Sequence, residues 1–278
     1  MNLSKLGIAL LALLLPMASS AESPAVPARS APTYADLADL AVEAPVAAHV
    51  KVSQAIELKE GIAASVPPGK SRFYVEADVV SLIRGQGLPA SIRYLADIPR
   101  DSAGKSPKLR KKSEFLILAA PVPGRPGELQ LVAPDAQLAW SPALGDRIRT
   151  ILREASAADA PPRIIGVGKA FHVPGSLPGE SETQLFLLAA GGRPISLSVL
   201  RRPGEQPRWA VALGEIVDEA AAPPAPDTLL WYRLACGLPR ALPPASFADA
   251  DAGTIEAIRA DYGLVLDRLG PCVRTRAP

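Results

Sequence analysis

The chain has 278 residues, with 30 basic and 28 acidic side chains, so its formal net charge is +2. This near balance excludes a protein whose whole surface attracts nucleic acid or an acidic partner. The 30 prolines are twice the usual share of about 5%, while 48% of the residues are hydrophobic. Because proline interrupts helices and central strands, the composition favours a folded chain with short strands, many turns and few helices.

The first 21 residues have the organisation of a secretory signal peptide. Lys5 is followed by an apolar run over residues 6–15, and small residues at 19–21 are typical of a cleavage site. The apolar run is about half the length that a membrane-spanning helix needs, so a retained anchor is the weaker alternative. We therefore expect a periplasmic or secreted protein in which residues 22–33 form a flexible spacer.

Residues 34–155 are predicted to form a β-rich domain with short helices. Five segments alternate apolar and polar side chains or are bounded by turn residues, which is typical of half-buried strands. They are residues 46–58, 72–83, 91–98, 113–119 and 128–133. A capping box at Thr33 and Asp36 predicts a helix before these strands, and Ser141 with Pro142 predicts a helix after them. The strand pattern suits a small OB-like barrel, and an open antiparallel sheet fits it equally well.

A second domain is predicted for residues 163–278, after the linker-like segment ASAADAPP. Four segments have the pattern of strands joined by turns, and two helices with apolar stripes follow them. The strands are expected at 163–171, 183–189, 195–201 and 208–217, and the helices near 228–238 and 254–269. The expected fold class is therefore α+β: an antiparallel barrel or sheet with short helices, then a four-stranded antiparallel sheet with two C-terminal helices.

The two cysteines, Cys236 and Cys272, lie in or beside the predicted C-terminal helices. In an exported chain a single pair most simply forms one disulfide, which would link the two helices here. A pair of buried thiols is the alternative. Neither cysteine follows the leader, which argues against a lipid-anchored protein, and no CxxC motif indicates redox catalysis.

Histidine is too scarce to indicate a definite reaction, since the chain has two, His49 and His172. His49 is expected to project from the polar face of the first strand. His172 lies close to Ser176, at the mouth of a loop rich in proline and glycine, so these two residues are the candidates for a hydrolase centre. A structural or surface role is the alternative for both histidines. No motif indicates a metal or a cofactor, and none is expected.

The strongest local charge feature is the segment GKSPKLRKK at residues 104–112. Its basic residues are Lys105, Lys108, Arg110, Lys111 and Lys112. Loops of this kind bind phosphate or carboxylate groups of a polymer or a lipid headgroup. A solvated loop that protects a sheet edge from aggregation is the alternative. A second basic tip contains Arg201, Arg202 and Arg208.

Several stretches resemble a family of exported bacterial proteins to which no reaction is assigned. They are LPASIRYLADIPRD (88–101), PVPGRPGELQLVAPDAQLAW (121–140), FHVPGSLPGESETQLFL (171–187), SLSVLRRPGEQPRWAVALGEIVDEA (196–220) and DTLLWYRLACGLPR (227–240). The resemblance implies export and identifies no functional residue. The first half is also similar in strand plan to the OB-like barrels of exported inhibitor and netrin-type modules, although it contains no cysteine, whereas those modules carry several disulfides.

The expected function is a non-catalytic binding or interaction module of the cell envelope. Its partner is expected to be an anionic envelope component or another envelope protein. Nucleic acid is not expected, because aromatic residues for base stacking make up only 5% of the chain. No stretch after the leader is long and apolar enough to span a bilayer, so an integral membrane protein is not expected. The alternatives are an extracytoplasmic hydrolase centred on the His172 loop and a self-associating structural protein, with the oligomeric state left open.

Overall fold

The computed structural model describes residues 31–59, 66–214, 221–248 and 250–276. The predicted leader (1–21) and most of the predicted spacer (22–33) lie outside the described residues. Helix α1 (Tyr34–Glu43) begins where the sequence predicts, because Thr33 and Asp36 form a capping box. The Thr33 hydroxyl accepts a hydrogen bond from the Asp36 N–H, and the Asp36 carboxylate accepts one from the Thr33 N–H.

Five strands close into a barrel after α1, and a sixth strand pairs beside them. The six strands are β1 (Val46–Glu57), β2 (Lys70–Arg84), β3 (Ser91–Pro99), β4 (Glu114–Pro121), β5 (Glu128–Leu131) and β6 (Gln137–Ala139). The order is β1-β2-β3-β5-β4, and β4 pairs back with β1, so the closed alternative is confirmed. β3 and β5 run parallel, so the barrel is mixed rather than purely antiparallel. The three residues of β6 were not predicted, because so short a segment shows no period-two pattern.

The barrel interior is filled by alternate side chains of its strands. Val50, Val75, Ile92 and Ile117 are fully buried there. Because successive strand residues point to opposite faces, their neighbours in sequence lie on the outside of the barrel. The opposite face of β4 is covered by a second core, in which α1 packs with helix α2 (Pro142–Ser156). The outer faces of β2 and β3 therefore remain available for other contacts.

The second half is a four-stranded antiparallel sheet covered by two helices, as predicted. Its elements are β7 (Ile164–Pro174), β8 (Ser181–Ala189), β9 (Ile195–Arg201), β10 (Arg208–Ala212), α3 (Leu229–Gly237) and α4 (Ala252–Leu269). The order is β10-β9-β8-β7. Leu185 and Leu197 of the sheet share one buried core with Ile258 and Val265 of α4. The predicted last strand ends at Ala212, and residues 215–217 of that prediction lie outside the described residues.

The predicted disulfide between Cys236 and Cys272 is present. It joins α3 to the segment that follows α4. Gly270 is the C-cap of α4 and has a positive φ of 72°. Asp251 caps the start of α4 by accepting a hydrogen bond from the Thr254 N–H. Among the described residues, no helix combines the length and apolarity needed to cross a membrane.

The C-terminal segment returns to the N-terminal half of the chain. Thr275 donates to Asp36 from its N–H and its hydroxyl, the latter at 2.6 Å. Arg276 forms a two-point pair with Asp135, in the loop before β6, at 2.7 and 2.8 Å. These contacts tie α1 and the barrel to the disulfide-linked tail. The division of the chain into domains at the 155–162 linker stays a prediction.

Candidate functional site

The predicted basic segment is an exposed loop between β3 and β4, and the barrel holds its base. Exposed cationic side chains extend from Lys105, Lys108, Arg110, Lys111 and Lys112. Ser106 donates to Glu57 at the end of β1 and shares a 2.6 Å hydrogen bond with Ser71 at the start of β2. Leu109 packs against the barrel core. The loop therefore presents its charges from an anchored base.

Local backbone chemistry shapes the start of this basic loop. The Asp101 carboxylate accepts hydrogen bonds from the N–H groups of Ala103 and Lys105, at 3.0 and 2.8 Å. Gly104 takes the left-handed conformation with φ of 75° that the turn requires. The sequence DSAGK is therefore a tight turn that directs the chain from β3 into the basic stretch.

A groove of about 680 Å³ crosses the outer face of the barrel. Residues of β2, β3 and β5 line it, together with the loops on either side of β5. Tyr74 on β2 lies opposite Leu95 on β3, and Leu95 is 46% exposed. Two residues further along each strand, Arg72 lies opposite Asp97. The groove thus combines an apolar strip with charged side chains.

Three arginines of the groove differ in their partners. Arg72 donates two hydrogen bonds of 2.7 Å to Asp97, and this pairing raises the pKa of the guanidinium. Arg125 forms an ion pair of 3.2 Å with Glu128, in which the arginine side chain is 68% exposed. Arg93 is exposed, and its guanidinium forms no hydrogen bond or ion pair with the residues that the structure describes. Arg93 is therefore available to an anion in the groove.

A second cleft, of about 340 Å³, lies beside the groove at the start of β2. Arg72 lines both cavities, and Ser71 lines the second cleft while bonding to Ser106 of the loop. Hydrogen bonds from Ser106 and Ser71 lower the pKa of the Glu57 carboxyl in this cleft. We call the whole surface the cationic track: Arg93, Arg72, Lys70, Arg100 and the cations of the loop at 104–112.

The groove was not predicted from the sequence, although some of its residues were assigned to the polar face of a strand. Arg72 bonds to Asp97 on the neighbouring strand, a partner that the alternation within one strand does not identify. The signal that was available is the outward alternation of Arg93, Leu95 and Asp97 in the predicted third strand.

His172 lies on β7 and is joined to the buried Asp261 of α4 through Thr183 of β8. The His172 Nδ1 lies 2.8 Å from the Thr183 hydroxyl, which donates its proton to Asp261. Since that hydroxyl has one proton, Nδ1 must be the donor to Thr183. Arg201 completes the cluster with a 2.7 Å hydrogen bond to Asp261, whose side chain is 1% exposed. The cluster fixes the orientation of the imidazole.

Ser176, the predicted nucleophile candidate, is not hydrogen-bonded to His172 within the described part of the chain. The N–H groups of Ser176 and Leu177 both donate to the Glu180 carboxylate, at 3.1 and 3.3 Å. A serine nucleophile needs its base within hydrogen-bond reach of the hydroxyl. The structure therefore pairs His172 with Asp261 and places Ser176 in a separate turn.

The second predicted basic tip is only partly a surface feature. Arg201 turns toward the buried Asp261 instead of extending from the tip. Arg202 and Arg208 are exposed, as predicted. The interpretation of the three arginines as one exposed group is therefore corrected.

His49 projects from the predicted face of β1 but is covered there. Its ring stacks on Trp140 with centroids 3.7 Å apart, and its Nε2 lies 3.0 Å from Glu114. Glu114 also pairs with Lys51, which lowers the pKa of the carboxyl. Trp140 covers this face because the backbone after β6 pairs with Glu114. His49 thus has a packing role that its strand position did not reveal.

No group of three or more histidine, cysteine, aspartate or glutamate side chains is placed to hold a metal ion in the ranges that the structure describes.

No protein-family model matches this chain, and no curated protein sequence matches it. The likeness to exported bacterial proteins therefore stays a prediction. What the protein binds has to be inferred from the groove and the basic loop themselves.

Proposed function

We propose that the protein is a non-catalytic binding module of the cell envelope and that it binds an anionic component on the cationic track. The observation that carries this proposal is that the groove, the second cleft and the base of the basic loop adjoin one another. Arg72 is shared by the groove and the second cleft, and the hydrogen bond between Ser71 and Ser106 connects that cleft to the basic loop. One ligand can therefore contact the cations of the groove and of the loop together.

The charge balance of the track favours an anion. Its acidic side chains already have partners: Asp97 bonds to Arg72, Glu128 to Arg125, and Glu57 to serine hydroxyls. The loop cations have no such counterparts among the described residues. Arg93 lies opposite Glu76 of β2 and Glu128 of β5 and forms an ion pair with neither of them. A guanidinium that is not already paired offers a planar set of donors that fits a carboxylate or phosphate group.

The architecture of the barrel supports the same surface. The strand order β1-β2-β3-β5-β4 with closure onto β1 is that of an OB-like barrel. In such barrels the face of the second and third strands commonly binds oligonucleotides or oligosaccharides. This is an analogy of fold and by itself identifies no ligand.

Export is the second part of the proposal. The leader-like residues 1–21 direct a chain out of the cytoplasm, and one disulfide between Cys236 and Cys272 is typical of an oxidising compartment. The partner is therefore sought among anionic components of the envelope or among other envelope proteins.

Charge reversal of the loop tests the proposal. The variant carries Lys108→Glu, Arg110→Glu, Lys111→Glu and Lys112→Glu, and the control carries Arg202→Glu and Arg208→Glu on the other half of the molecule. Binding to isolated envelope fractions is measured by co-sedimentation. We expect the loop variant to lose binding and the control to keep it. Unchanged binding in the loop variant would exclude the track as the contact surface.

A second candidate, an extracytoplasmic hydrolase, is favoured by one observation: the His172 imidazole is oriented by Thr183 and Asp261. An oriented imidazole is a common general base. The test is a screen of ester, peptide and glycoside substrates with the wild type and with His172→Ala. Hydrolysis that the variant loses would support this candidate, and no hydrolysis by the wild type would exclude it for those substrates.

A further inference from the structure

We propose that the ligand of the cationic track is a linear anionic polysaccharide that contacts the basic loop and the groove at the same time. This inference rests on the proposed binding function and names its ligand class. It also assigns a role to Arg93, Tyr74 and Leu95, which lie on the barrel away from the basic loop.

The groove alternates charged and apolar positions along one direction. On β3, Arg93, Leu95 and Asp97 point outward at every second residue, and Asp97 holds Arg72. Arg93 and Asp97 are separated by four residues, which is about 13 Å at the rise of a strand. The half-buried Tyr74 and the exposed Leu95 lie between the two charged ends.

A linear acidic polysaccharide matches this alternation. Each sugar ring has an apolar face that can pack on Tyr74 and Leu95, and its acidic groups recur along the chain at the spacing of the sugar units. An acidic group at Arg93 and others at the loop would neutralise both ends of the track. Because the contacts are spread along the track, a short oligosaccharide reaches only some of them, and affinity should increase with chain length.

A flat array of lipid headgroups fits the track less well. The exposed loop can touch a membrane surface, and basic clusters do bind anionic lipids. The groove of about 680 Å³, however, lies on the barrel wall between β2, β3 and β5, away from the loop cations. A lipid surface therefore predicts dependence on the loop cations alone, whereas a polysaccharide predicts dependence on Arg93 as well.

The experiment measures binding of purified protein to oligosaccharides by isothermal titration calorimetry. The probes are oligogalacturonates and heparin oligosaccharides, each as a disaccharide and a dodecasaccharide, with maltooligosaccharides as neutral controls. Phosphatidylglycerol vesicles and oligodeoxythymidylate are the competing anions. The variants are Arg93→Glu, Tyr74→Ala and the pair Lys108→Glu/Arg110→Glu, and the pair Arg202→Glu/Arg208→Glu is a control of equal charge change. Circular dichroism establishes that each variant is folded.

We expect at least one acidic dodecasaccharide to bind about tenfold more tightly than its disaccharide, and the neutral sugars not to bind. Arg93→Glu and the loop pair should each weaken dodecasaccharide binding by about tenfold, the effect of losing a charge-assisted contact. Tyr74→Ala should weaken it without changing its salt dependence. The control pair should bind as the wild type does.

Four outcomes would overturn the inference. Vesicle binding that depends on the loop and not on Arg93, without binding of either acidic dodecasaccharide, would leave the proposed function in place and make a lipid surface the ligand. Equal affinity for short and long oligosaccharides would overturn the extended contact, and tighter binding of oligodeoxythymidylate would overturn the ligand class. Binding that neither the loop variant nor Arg93→Glu weakens would contradict both the inference and the proposed function.

Discussion

Ser71 and Ser106 share a hydrogen bond of 2.6 Å that connects the first residues of β2 to the basic loop. Ser71 is 3% exposed and also accepts a hydrogen bond from Arg100 at 3.0 Å, so its side chain is fixed. Ser106 donates in addition to Glu57 at the end of β1. The loop cations are therefore held at a defined place beside the second cleft rather than on a detached tip.

Replacing Ser106 by alanine should loosen this anchor. We expect Ser106→Ala to cost about 1 kcal/mol of unfolding free energy, the usual value of a lost hydrogen bond. The pKa of Glu57, which the hydrogen bonds of Ser106 and Ser71 lower, should rise toward its ordinary value. Because a lowered carboxyl pKa stabilises the fold above the unfolded pKa, the difference from wild type should shrink on acidification below about pH 4.

Carboxyl titration by NMR and urea unfolding at several pH values check this prediction. Ser102→Ala, in the exposed start of the same loop, is the matched control. An unchanged Glu57 pKa in Ser106→Ala would show that the Ser106 hydroxyl does not hold the loop.

Asp36 is the acidic centre of the contact between α1 and the C-terminal tail. Burial raises the pKa of this carboxyl, but hydrogen bonds from Thr275, Thr33 and Arg276 outweigh it and lower the pKa to about 2. Because the pKa of Asp36 is lower in the folded protein than the unfolded value of about 3.9, the ionised carboxylate stabilises the fold fully at pH values above about 3.9. This stabilisation is lost as the pH falls toward about 2. We expect Asp36→Asn to destabilise the protein by on the order of 2 kcal/mol at pH 7.

Urea unfolding at pH 7, 4 and 2.5 tests this dependence, with Asp78→Asn as a control at an exposed carboxylate of β2. The difference between wild type and Asp36→Asn should change little between pH 7 and 4 and decrease between pH 4 and 2.5. A difference that is constant with pH would mean that the charge of Asp36 does not hold the tail.

The Cys236–Cys272 disulfide should contribute strongly to stability, because it closes a loop with a sequence separation of 36. In the chain-entropy view such a loop is worth about 3–4 kcal/mol. We expect Cys236→Ser/Cys272→Ser to lower the unfolding free energy by that amount, and dithiothreitol to have the same effect on the wild type. The double variant should itself be insensitive to dithiothreitol. A wild-type urea midpoint that dithiothreitol leaves unchanged would contradict this prediction.

Thr183 is a structural link in the cluster of His172 and Asp261. Thr183→Val keeps the shape of the side chain but removes the hydroxyl that both neighbours use. We expect a loss of about 1–3 kcal/mol in unfolding free energy, the cost of unsatisfied buried polar groups. Thr183→Ser should retain most of the stability. Binding of an anionic ligand should be unchanged in folded Thr183→Val, and its loss would place the binding site in the second sheet.

The sequence indicates the strands well because alternation is a local property. The side chains of β1 and β2 alternate between polar and apolar along most of their lengths, so their faces follow from the sequence. Closure of the barrel does not follow from the sequence, because it depends on the pairing of β1 with β4, which lie far apart in the chain. The two alternatives of barrel and sheet therefore differ only in a contact that periodicity does not report.

The candidate site was accessible from the sequence only in part. The loop cations are visible in the sequence because five of them fall within nine residues, and such a cluster of charge can be identified without the fold. The groove depends on the parallel pairing of β3 with β5, which brings Arg93 opposite Glu128. The covering of His49 by Trp140 depends likewise on the placement of β6 beside β4. Such contacts between distant segments leave no periodic signal.

The most direct test of the cationic track is to map where an anionic ligand binds. Amide chemical shifts of the purified protein would be followed by NMR while an acidic dodecasaccharide is added. We predict that the largest changes fall on Tyr74, Arg93, Leu95 and the loop residues 105–112, with little change in β7 to β10. Changes confined to the second sheet, around His172 or Arg208, would contradict the account.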